Sequence, residues 1–177
     1  MTNNYTVTAA GTITKEQTLL SIRRMPVAGA ANIARGNLCK VDNQGYLVQA
    51  IQSNGTAGHP FSTGTEYFVA LEAANNTSGT DAAITCPVAV RGHFVTVVAG
   101  GTIQPGSVVK PDTTAGQVVA FTTGTDPEGF RAGIYWGKEG GVISKSASTP
   151  YLESFTDNAD FPPVACGSAD IVEIQLI

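Results

Sequence analysis

Charge is what this chain has least of. Only 14% of its 177 residues are Asp, Glu, Lys or Arg, and the formal net charge is -4. Ordinary soluble domains carry roughly 25% charged residues. A chain this poor in cations is not built to neutralise phosphates, so direct nucleic-acid binding is not expected. Histidine is scarcer still. His59 and His93 are the two present, with no H-E-x-x-H pair and no His/Cys metal spacing, which leaves no basis for a metal or another cofactor. Cysteine is limited to Cys39, Cys86 and Cys166, far apart and without a C-x-x-C pair. That count suits reduced thiols in a cytosolic product, with small apolar packing as the role of Cys39 and Cys86. No apolar run approaches the roughly 20 residues of a membrane helix. The opening Met-Thr-Asn-Asn has neither the charged nor the apolar region of a secretion signal.

Catalytic patterns fail on chemistry. Gly124-Thr125-Asp126-Pro127-Glu128-Gly129 has P-loop glycine spacing, but Phe130-Arg131 stands where Lys-Ser/Thr must be. Ser107-Val108-Val109-Lys110 fits S-x-x-K, yet on a strand residues three apart point to opposite faces. Asp157-Asn158-Ala159-Asp160 lacks the Gly and distal Glu of a calcium loop and reads as a solvated turn. His93, at the start of a strand, reads as an edge residue. The expectation is a protein that is not an enzyme.

What the chain does have is a repeat. Ala28 to Asp42 runs without a gap over Val98 to Asp112, matching Ile33 to Ile103, Gly36 to Gly106, Lys40 to Lys110 and Asp42 to Asp112. After one inserted residue, Gly45-Tyr46-Leu47-Val48 falls on Gly116-Gln117-Val118-Val119. Each copy reads as a small-residue turn, a strand, an Asp-led turn and a second strand. Further strand-like stretches lie at 67–72, 84–90, 93–98, 131–136 and 171–176, with clear alternation at 84–90 and with Val172, Ile174 and Leu176 facing inward. The stretches 52–64 and 73–82 read as exposed loops. Short strands with glycine-marked turns predict an all-β fold: a duplicated β-barrel or β-sandwich unit with an extended N-terminal arm and few or no helices. The expected organisation is an arm over 1–26, a first unit over 27–98 and a second over 99–177, packed together. Within the arm, Tyr5-Thr6-Val7-Thr8 alternates like a strand. Thr14-Lys15-Glu16-Gln17 reads as a capping box opening one helical turn. Residues 1–40 carry five basic groups against one acidic, so the start of the chain is basic and the rest acidic.

Phe68-Val69-Ala70-Leu71-Glu72-Ala73, Cys86-Pro87-Val88-Ala89-Val90-Arg91-Gly92 and the turn and hairpin from Ile103 resemble the small β-barrel capsid decoration (cement, or head-stabilising) proteins of tailed bacteriophages. The likeness covers roughly residues 28–121 and extends to the remainder by pattern. It implies a virion protein on the capsid exterior, made in the host cytoplasm, whose partners are the major capsid protein and itself as a homotrimer. No membrane partner is expected, for want of a long apolar run. Such a protein would cement neighbouring capsid subunits and stabilise the expanded head. An extended arm can add a strand to an exposed sheet edge. On that basis Tyr5, Val7, Leu19 and Leu20 are the expected anchors, with Arg23 and Arg24 meeting acidic capsid residues. Two alternatives are a carbohydrate-binding module using Tyr135 and Trp136, and a structural module of a fibre or tail.

Overall fold

The computed structural model describes residues 10–11, 13–15, 22–52, 66–138 and 165–177. Tyr5, Val7, Leu19 and Leu20 lie outside the described residues, as do Glu16, Gln17 and the Asp157–Asp160 turn. The strands are β1 (Ile13–Lys15), β2 (Arg23–Pro26), β3 (Asn32–Ile33), β4 (Leu38–Val41), β5 (Leu47–Gln49), β6 (Phe68–Ala70) and β7 (Ala74–Asn75). They continue as β8 (Thr85–Ala89), β9 (Phe94–Val98), β10 (Val108–Pro111), β11 (Val118–Ala120), β12 (Gly133–Lys138) and β13 (Ile171–Leu176). A single turn of 3-10 helix at Glu128–Phe130 is the helical element among the described residues. The fold is all-β, as the alternating pattern predicts.

Two sheets carry the repeat. One runs β2-β8-β6-β4-β5, the other β1-β9-β13-β12-β10-β11. Without β1, the second order reproduces the first position for position, β9 standing for β2 and β13 for β8. Each sheet closes on itself through one parallel bridge, Val27 to Leu47 in the first and Ala99 to Val118 in the second. Two small barrels result, and closure removes most of the edge that an open sheet would expose.

The interiors match residue by residue. The first holds Val27, Ile33, Cys39, Leu47, Cys86 and Val88. The second holds Ala99, Ile103, Val109, Val118, Val172 and Ile174 at the corresponding places. One pair of positions trades volume. Phe68 and Ala70 on β6 correspond to Gly133 and Tyr135 on β12, since Gly36 N–H donates to the Ala70 carbonyl and Gly106 N–H to the Tyr135 carbonyl. The large ring thus moves two residues along the strand. A Cβ on Gly133 would stand 2.7 Å from the Gln175 carbonyl oxygen, so this site admits no side chain.

The barrels also refine the repeat. Val27 corresponds to Ala99 by its bridge, while Ile33 corresponds to Ile103, which pairs with Cys166 as Ile33 pairs with Ala74. The first turn is therefore two residues longer than the second, and the gapless alignment fails over its first few residues. Matched left-handed alanines follow the same rule. Ala82 (φ 58°) and Ala169 (φ 66°) donate their N–H groups to the carbonyls of Val27 and Ala99.

Other expectations need correction. Thr14 and Lys15 are extended in β1, which pairs with β9, so the capping-box turn does not start there. Arg23 and Arg24 lie in β2, which joins the first sheet, and β9 joins the second. The stretch 73–82 is not a plain exposed loop. Ala74 and Asn76 are buried, and Asn76 Nδ2 donates to the carbonyls of Val27, Ala28 and Thr80. A buried amide satisfied this way pins a loop that composition alone marks as surface. β8 is buried on both faces, Cys86 and Val88 inside the barrel, Ala89 against the second barrel.

Pro87 explains a difference in strand length. Its carbonyl accepts from Leu71 N–H, on the side facing β6, and proline has no N–H to return. The ladder with β6 ends at Ala70. Glu173 stands at the matching place in β13, and there β12 continues to Lys138 through a bulge at Trp136.

The barrels pack unequally. Leu38, Val69 and Ala89, on the outer face of the first, join the second barrel's core together with Ala50 and Tyr67. The turn of the β10–β11 hairpin wedges into the base of the β4–β5 hairpin. Leu38 N–H donates to the Gly116 carbonyl (2.8 Å), and Gly116 N–H donates to the Ala50 carbonyl (2.9 Å). Tyr67 Oη reaches the Gly129 carbonyl at 3.2 Å.

Candidate interaction surface

Strand β2 is an edge. It pairs with β8, Arg23 opposite Val88 and Arg24 opposite Pro87, and no strand among the described residues takes its other side. Its counterpart β9 has that side filled by β1. Arg23 and Arg24 are exposed, and the neighbouring Ile22 is 51% exposed. An edge that presents backbone groups, two guanidinium groups and an apolar residue can accept an extended acidic segment. Pro26 ends the usable length, since it lacks an N–H.

The first barrel's place in the chain accounts for this asymmetry. β1 precedes both barrels yet adds to the second, and Gly11 donates its N–H to the Thr96 carbonyl at 2.6 Å. Gly11 also lies so close to Gly36 and the Ala70 carbonyl that a Cβ would stand 2.6 Å from that oxygen. Residues around Gly11 therefore strap the two barrels together. The central part of the expected arm thus adds its strand within its own chain.

The polar groups elsewhere are structural in their contacts. Lys110 Nζ meets Asp126 Oδ1 at 2.5 Å, and Asp126 also accepts from the Thr122 N–H. The Gly124–Gly129 stretch is thereby tied to β10, and the lysine is turned to Asp126. Lys40 at the matching place is buried, and that burial lowers its pKa, with the Asp42 charge opposing. Arg131 pairs with Glu128 at 2.6 Å and lies over the Phe121 ring at 5.0 Å. His93 is wholly buried in the turn before β9, its Nδ1 accepting from Val90 N–H at 3.2 Å. It is not the edge residue that its position suggests. No cluster of three His, Cys, Asp or Glu that could hold a metal occurs among the described residues.

All three cysteines are buried, and none is in a disulfide. Burial pushes the Cys39 and Cys86 thiols up, and at Cys39 a charge on Cys86 would add to the rise. A thiolate is the reactive form. We expect a thiol reagent to leave the native protein nearly unlabelled at neutral pH and to label all three cysteines after denaturation. Fast labelling of Cys39 in the native state would contradict this packing.

Among the described residues, aromatic exposure is concentrated at Trp136, 48% exposed on the bulge of β12. Its ring centroid lies 5.6 Å from that of Phe94, with the planes tilted by 55°. Tyr135, expected beside it as a possible sugar contact, is fully buried, because adjacent strand residues face opposite ways. No protein-family model matches this chain, and no curated protein matches it.

Proposed function

We propose that the protein binds the outer surface of a tailed-phage capsid and cements neighbouring major capsid subunits. The observation that carries this reading is the β2 edge: a strand position that no strand among the described residues fills, with Arg23 and Arg24 exposed on it. A rigid body that clamps an acidic extended segment by main-chain bonds and arginines is suited to holding subunits together. The other support is the sequence resemblance carried by the motifs around Phe68 and Cys86. In this reading Tyr5, Val7, Leu19 and Leu20 remain candidate anchors, and the capsid exterior is the site of action.

The test is rebinding to capsids stripped of decoration. The wild-type protein should bind, and Arg23→Glu with Arg24→Glu should weaken binding roughly tenfold or more while leaving the fold intact. Failure of the wild type to bind would sink the reading. Equal binding by the double variant would sink the edge as its basis.

A carbohydrate-binding role is the second reading, favoured by the half-exposed Trp136. The tilt between Trp136 and Phe94 makes one stacking face rather than a flat two-ring platform. A glycan array with the wild type and Trp136→Ala separates the two readings.

A further inference from the structure

The internal duplication leaves one interface half used, and the geometry points to a second copy of this chain as its occupant. Within one chain the hairpin turn of the second barrel docks on the first. Gly116 sits between the Leu38 N–H and the Ala50 carbonyl, and a Cβ there would collide with the Asn37 side chain. Both partners of that contact have a counterpart that makes no such contact among the described residues. The turn corresponding to Asp112–Gly116 is Asp42–Gly45, where Asn43, Gln44 and Gly45 are exposed and a Cβ on Gly45 would meet nothing within 4 Å. The receiving site corresponding to Asn37, Leu38 and Ala50 is Ser107, Val108 and Phe121.

Burial follows the same division. Leu38, Ala50, Val69 and Ala89 are buried, whereas Val108, Phe121, Ile134 and Gln175 at the matching places are only half-buried. No turn among the described residues fills the position at Val108 and Phe121. The two turns also share their construction. Asp42 N–H donates to the Tyr46 carbonyl, as Asp112 N–H does to Gln117, and Gly45 and Gly116 have φ of 91° and 81°. The first turn can therefore present the Gly45 carbonyl as the second presents the Gly116 carbonyl to Leu38, while the Gly45 N–H, which donates to the Asp42 carbonyl at 3.2 Å, exchanges that partner for the Phe121 carbonyl on docking.

The interface repeats the one already inside the chain: the Asp42–Gly45 turn of one copy enters the site at Ser107, Val108 and Phe121 of the next. Because the two surfaces differ, the contact is head-to-tail and closes a ring or extends as a filament. It does not depend on capsid binding.

Two variants test it. Gly45→Asn keeps the left-handed backbone, which Asn tolerates, and adds a side chain that the docked position cannot hold. Ser107→Arg places a long cation in the receiving site, and Ile134→Lys is its second form should the first misfold. Mass is measured by light scattering across a dilution series, with circular dichroism verifying the fold. The wild type should form oligomers, and each variant alone should be monomeric. An equimolar mixture of Gly45→Asn and Ser107→Arg should form a dimer that grows no further, since one intact turn and one intact site remain. A monomeric wild type, oligomers that survive both variants, or variants that do not recombine would each overturn the inference. A monomer that still bound capsids would leave the capsid reading standing.

Discussion

Gly116→Ala should destabilise the protein markedly more than Gly45→Ala, although the two glycines are counterparts. Both have left-handed backbones, with φ of 81° and 91°. Placing alanine there costs about 1–2 kcal/mol in either case, because Cβ crowds the following carbonyl. The difference lies beyond the backbone. A methyl group at Gly45 enters open space, whereas one at Gly116 collides with the Asn37 side chain. Overpacking of that kind adds about 1–3 kcal/mol. It also pushes apart the Leu38 N–H and Ala50 carbonyl that Gly116 bridges. Urea unfolding midpoints of the two variants supply the comparison, made at a concentration where both are monomeric. Equal losses would mean that the wedge between barrels contributes nothing to stability.

The second large effect is at Tyr135. It is fully buried in the second barrel's core, two residues along the strand from the place that Phe68 takes in the first. Tyr135→Ala should cost about 3–5 kcal/mol, the range for removing a buried aromatic ring. Copying the first barrel's arrangement does not repair the loss. Gly133→Phe combined with Tyr135→Ala restores the volume on paper, but the new Cβ stands 2.7 Å from the Gln175 carbonyl and 3.3 Å from Ile174 Cδ1. The double variant should therefore be less stable than Tyr135→Ala alone, as thermal denaturation would show. A double variant as stable as the wild type would mean that the two barrels have interchangeable backbones.

These two sites mark how far the sequence could be read. The period-2 runs at 84–90 and 171–176 are legible because apolar residues alternate without interruption, and both become strands at matched places in the two sheets. The repeat is legible from Ile33 onward because Gly36, Lys40 and Asp42 recur at constant spacing. The volume exchange of Phe68 and Ala70 for Gly133 and Tyr135 hides the next part of the repeat, since neither residue matches its counterpart in size. β2 escapes notice for a similar reason. Arg23 stands where β9 has the buried Val95, and a strand exposed along one edge keeps little alternation. Asn76 is a third case. Asn, Thr, Ser and Gly mark a surface loop by composition, and only the carbonyls of Val27, Ala28 and Thr80 around the amide reveal its burial. Of the candidate site residues, Arg23 and Arg24 come together on the β2 edge.

The strap at Gly11 makes the barrels unequal as separate pieces. A fragment ending after Val90 retains every strand of the first barrel and also β1, but has lost β9, with which β1 pairs. The complementary fragment retains β9 with its outer side bare. Cleavage in the Arg91–Gly92 turn therefore yields a donor and an acceptor rather than two self-sufficient halves, and strand donation would draw them back together.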